Sequence, residues 1–151
     1  MLSWKNAIRI GQNIQSFLNN NFCPWLYLTM DIEKREIYRA IAELAYVIAK
    51  ADKGLSVEER NAFYKIASEE LDYESWAAQS RFELLDEVTH PSIEKAYNDA
   101  MHELKKYKDH FTDELKEKAL LVLQRMAASC NGLSANEVFI IDRFKKDLQH
   151  L

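Results

Sequence analysis

The sequence predicts an all-α fold: a compact bundle of about seven helices in which one helix–turn–helix unit occurs twice. Three observations lead there. Apolar residues recur at spacings of three and four almost throughout the chain, the period of a helix with one face in a core. Only three glycines and two prolines interrupt 151 residues, so helix breaks are few. An eight-residue stretch also recurs 78 residues further on.

The elements follow in order. Residues 2–20 read as a first helix, with Trp4, Ala7, Ile8, Ile14 and Leu18 near one side. Residues 22–30 are an apolar connector containing Pro24. Asp31 suits the cap of a second helix, whose stripe is Ile37, Ile41, Leu44, Ala45 and Ile48. A third helix over about 57–71 presents Phe63, Ile66, Ala67 and Leu71, and a fourth over about 73–88 presents Ala77, Leu84, Leu85 and Val88. Pro91 suits the first turn of a fifth, where its missing N–H costs nothing; that helix carries Ile93, Ala96, Tyr97, Ala100, Met101 and Leu104. Thr112 is the expected cap of a sixth, with Asp113 and Glu114 in its first turn. The seventh spans about 135–149, with Ile141, Phe144 and Leu148. Short loops predict that most sequential helices are antiparallel neighbours. Two regions result: 1–30, an amphipathic helix and apolar connector, and 31–151, the helical domain.

Composition excludes several classes. The chain is 48% hydrophobic and 29% charged, a globular balance and not a disordered one. No apolar run approaches the ~20 residues that span a bilayer, and Lys5 and Arg9 break up the N-terminus where a secretion signal would be apolar. Cys23 and Cys130 match no metal or redox spacing, so reduced thiols in a cytoplasmic protein are expected. A net charge of −4 argues against nucleic acid as a partner. That charge is uneven: +2 over residues 1–30, −6 over 31–87 and zero over 88–151. A cation-attracting surface is therefore expected in the middle third.

The repeat is the most specific signal. Asp52-Lys53-Gly54-Leu55-Ser56-Val57-Glu58-Glu59 returns as Cys130-Asn131-Gly132-Leu133-Ser134-Ala135-Asn136-Glu137. Each copy offers a glycine that can leave a helix through positive φ and a leucine that can plug the turn into the core. A serine N-cap follows, with glutamate three residues on to complete a capping box. Asp52 has no acidic counterpart in the second copy, where Cys130 stands. Glu69, Glu70, Asp72 and Glu74 make an acidic corner at the end of the third helix, either a solvated face or a place for a cation.

At these residues the chain resembles the TerB-like family of tellurite-resistance-associated helical domains. The carrying segment is Ala51-Asp52-Lys53-Gly54-Leu55-Ser56-Val57-Glu58-Glu59, a helix end followed by a turn to an aliphatic residue, Ser and an acidic helix start. It departs from the family pattern in placing Lys53 where Gly is usual, and the second copy lacks the Asp. The resemblance covers 31–151. It implies internal pseudo-repeats, a stress-response role, protein partners and a divalent cation such as calcium or magnesium held by clustered acids. Asp52 and Glu59 carry over as metal ligands, with Glu137 as the repeat partner of Glu59. The residues also admit a plainer reading, in which Glu59 caps its helix and Asp52 caps or solvates the turn. An EF-hand is excluded, because Ile48 and Lys50 would fall at ligand positions one and three.

No catalytic pattern is present. The chain has no glycine-rich phosphate loop, and His102-Glu103-Leu104-Lys105-Lys106 lacks the second histidine of a zinc-protease helix. A non-enzymatic module is therefore expected, either cation-responsive or a pure interaction scaffold. Residues 1–30 hold five of the seventeen aromatics and no acid. Packing on the bundle, contact with an anionic membrane surface and homodimerisation all remain open for them.

Overall fold

The computed structural model describes residues 31–51, 54–129 and 132–151. They form six helices: α1 (Ile32–Lys50), α2 (Val57–Glu70), α3 (Trp76–Leu84), α4 (Ile93–Lys106), α5 (Asp113–Ser129) and α6 (Ala135–Leu148). A short 3-10 turn (Asp72–Ser75) precedes α3 and a π turn (Leu85–Thr89) follows it. No strand occurs among the described residues. The helix expected at 2–20, the connector at 22–30, and Asp52, Lys53, Cys130 and Asn131 lie outside them. Ile32–Leu151 is one compact unit.

α1 organises the bundle. From Ile37 to Ala49 every residue except Arg39 is buried, so the single stripe read from spacing understates it. A helix that is apolar all round has no solvent face to keep and is enclosed by others. Accordingly α1 packs on α4, α3 and α5, and α2 packs on α5. This departs from the expected run of sequential neighbours: the helix with the largest apolar surface draws in three partners, whatever the chain order. Aromatics seal the α1–α2–α3 junction. Phe63 and Phe82 stack with centroids 4.1 Å apart and planes 13° from parallel, and Tyr46 meets Phe82 edge-on at 6.1 Å.

The expected helix at 73–88 forms as one continuous helical segment: the 3-10 turn, α3 and the π turn follow one another without a gap. Asp72 takes a left-handed conformation (φ 60°), as does His90 (φ 43°), and these two residues bracket the segment. Pro91 lies ahead of α4 and not in its first turn. Ser92 is the N-cap and accepts the Lys95 N–H at 3.2 Å, because a side-chain acceptor there satisfies an amide that proline cannot. The Pro91 carbonyl accepts from Lys50 Nζ at 3.0 Å, tying the end of α1 to the connector. Thr112 caps α5 as expected, accepting the Leu115 N–H at 3.3 Å. α4 and α6 are joined by Tyr97, whose hydroxyl donates to Asp147 at 2.6 Å, and by Arg143, which forks onto Glu94 at 2.9 and 3.0 Å. Burial and the Asp147 carboxylate push the Tyr97 hydroxyl above its ordinary pKa.

Candidate functional site

The sequence repeat is a structural repeat. α2 and α6 each have 14 residues, and both their starts and their ends are related by the same 78-residue offset. Before them, Gly54 and Gly132 hold φ of 85° and 88°. A Cβ added at either would meet nothing within 4 Å, so glycine is required by torsion and not by crowding. Replacing either with alanine is expected to cost about 1–2 kcal/mol, read by urea denaturation, with asparagine costing less.

Both caps form. Ser56 Oγ accepts the Glu59 N–H at 3.2 Å, and Glu59 Oε2 accepts the Ser56 N–H at 2.6 Å. Ser134 and Glu137 repeat the exchange at 3.2 and 2.8 Å. Glu59 and Glu137 each thus have one carboxylate oxygen engaged in a capping box, as the plainer reading expects. Asp52, the third acid assigned to a metal, lies outside the described residues. Ser56→Ala and Ser134→Ala should each cost about 1 kcal/mol, visible as a melting temperature lowered by a few degrees.

The two turns meet. Asn136 Nδ2 donates to the Ala51 carbonyl at 3.4 Å, so the start of α6 lies against the residue preceding Asp52. The two leucines differ, however. Leu55 is half-buried against the core, whereas Leu133 is 55% exposed and does not plug its turn.

The acidic corner is occupied by the protein's own cations. Arg125, from α5, binds Glu70 and reaches Glu69 at 2.5 Å; its hydrogen bond holds the Glu69 carboxyl below the usual range. Asp72 lies 3.4 Å from Lys118 and 3.9 Å from Lys34, and Lys34 is 3.4 Å from buried Glu74. The lysines and Arg125 supply the countercharge that the clustered acids need.

A charged residue not singled out from sequence lies inside the bundle. Glu43 is only 3% exposed and receives Arg81 of α3 on its Oε1, with Arg81 Nε at 2.6 Å. Burial pushes the Glu43 carboxyl up, against the pull of Arg81. The signal was present: Glu43 is the one acid in the apolar run Ala40-Ile41-Ala42-Glu43-Leu44-Ala45, where a solvent-facing residue has no place. No family model, curated protein or solved structure matches the chain.

Proposed function

We propose that this chain is a non-enzymatic helical module of the TerB-like kind that works by binding partner proteins. One observation carries the reading. At the two turns the glutamates serve as caps, while large apolar side chains beside them face solvent: Val57 is 63%, Leu133 55% and Phe139 68% exposed. Exposed apolar side chains mark an interaction surface where they gather into one patch. With acids such as Glu58 alongside, they suit a protein partner offering basic and apolar side chains. On the resemblance, such a role belongs to a stress response. No helix among the described residues is long and apolar enough to cross a membrane.

The test is site-specific photo-crosslinking in the producing cell. A photoreactive residue replacing Phe139 is expected to give a discrete protein adduct that Leu133→Asp abolishes. The same residue at Val88, which is equally exposed at 68%, should give none. No adduct at 139, or equal adducts at both positions, would contradict the proposal.

A second reading, a divalent cation held by Asp52, Glu59 and Glu137, is favoured by the Asn136–Ala51 contact between the start of α6 and the residue preceding Asp52. Each cap leaves its glutamate one further carboxylate oxygen. A calcium or magnesium ion would still need about six oxygen ligands, and the corner acids already face Arg125, Lys34 and Lys118.

A further inference from the structure

Glu43 is one of the residues lining a cleft of about 600 Å³ between α1, α3 and α4, a size in the range of small-molecule sites. The charged groups around the cleft are almost all matched. Arg39 binds Glu36 at 2.7 Å, and Lys106 lies 3.5 Å from Glu103 and over the Tyr107 ring at 4.8 Å. Arg81 is held on the Oε1 of Glu43. The exception is Glu43 Oε2, which is buried and has no hydrogen-bond partner.

That exception sets the ligand chemistry. A buried acceptor without a partner costs free energy that a donor recovers, and a charged donor on a carboxylate is the strongest match. An anion gains less, because each arginine or lysine lining the cleft already faces an acid. Ala40 and Leu84 supply apolar wall for a short hydrocarbon stem. We propose that this cleft binds a small organic cation whose ammonium or guanidinium group donates to Glu43 Oε2. The site is separate from the turns and adds a ligand class to the module.

The test is an amide NMR titration of the full chain with agmatine, and with glutarate as a dianion of similar length. Agmatine is expected to give saturable shifts confined to the cleft, around Ala40, Glu43, Leu84 and Tyr107. Glu43→Gln should weaken binding roughly tenfold or more, the factor for a lost charged hydrogen bond. Leu84→Trp fills the mouth without altering a charge and should weaken it comparably, which keeps the test valid if the Glu43 variant folds poorly. The proposal is overturned by no localised shift with millimolar agmatine, by agmatine shifts that survive Leu84→Trp, or by glutarate binding in preference to agmatine.

Discussion

Phe63→Ala and Phe82→Ala are each expected to remove about 3–5 kcal/mol of stability, the range for emptying a packed aromatic site. Both side chains are fully buried, and their stacked rings, at 4.1 Å, link α2 to α3 beneath α1. α2 is otherwise lightly anchored, with Phe63, Ile66 and Ala67 as its buried residues. Losing Phe63 should therefore loosen α2 as a unit and expose the first turn. Urea denaturation reads the stability, and hydrogen exchange on α2 reads the local effect. Phe63→Leu, which keeps most of the volume, should cost much less. If the alanine variants lose under 1 kcal/mol, the aromatic junction is not the keystone described.

Arg81→Met is expected to destabilise the fold by about 2–4 kcal/mol at neutral pH. Breaking one side of a buried pair leaves an uncompensated charge, which typically costs about 3–5 kcal/mol; Arg81 is itself a third exposed, so a lower figure applies. The pH dependence identifies the cause. The Glu43 carboxyl is raised above its ordinary 4.5 by burial, so the folded state holds that proton to higher pH than the unfolded chain does. Glu43 therefore favours the protonated fold below 4.5 and opposes folding as pH rises through its folded pKa. Without Arg81 that pKa rises further. The deficit of the variant should then be largest at neutral pH and shrink on acidification toward 4.5. Adding Glu43→Met should restore much of the loss, since an apolar pair of similar volume tolerates the site. A deficit independent of pH, unrelieved in the double variant, would mean that Arg81 acts by packing alone.

Some features were legible in the sequence because their causes are local. Both capping boxes, both positive-φ glycines and the 78-residue register of α2 and α6 depend on residues within a few positions of each other. The fates of Leu55 and Leu133 were not legible: the motif is the same, but what packs over each turn is set by distant helices. The enclosure of α1 was missed because spacing was read as one stripe, although the unbroken apolar run from Ala40 to Ala45 around Glu43 pointed to burial on all sides. The helix at 73–88 was legible, but its 3-10 entry and π exit beside left-handed Asp72 and His90 were not, because helical periodicity does not register such conformations. The acidic corner reads as excess negative charge because Arg125 and Lys118 approach it from α5, some 50 residues away in sequence.

We propose that the glutamates of the repeated turns hold the fold and not an ion. The most direct test is a thermal melt of chelator-treated protein, titrated separately with calcium, magnesium, manganese and zinc. No saturable shift is expected with any of them, and Glu59→Ala should cost up to about 1 kcal/mol by removing one half of the capping box. A saturable stabilisation approaching about 2.7 kcal/mol at roughly one hundred times the dissociation constant, abolished by Asp52→Ala, would contradict it and place a cation at the paired turns.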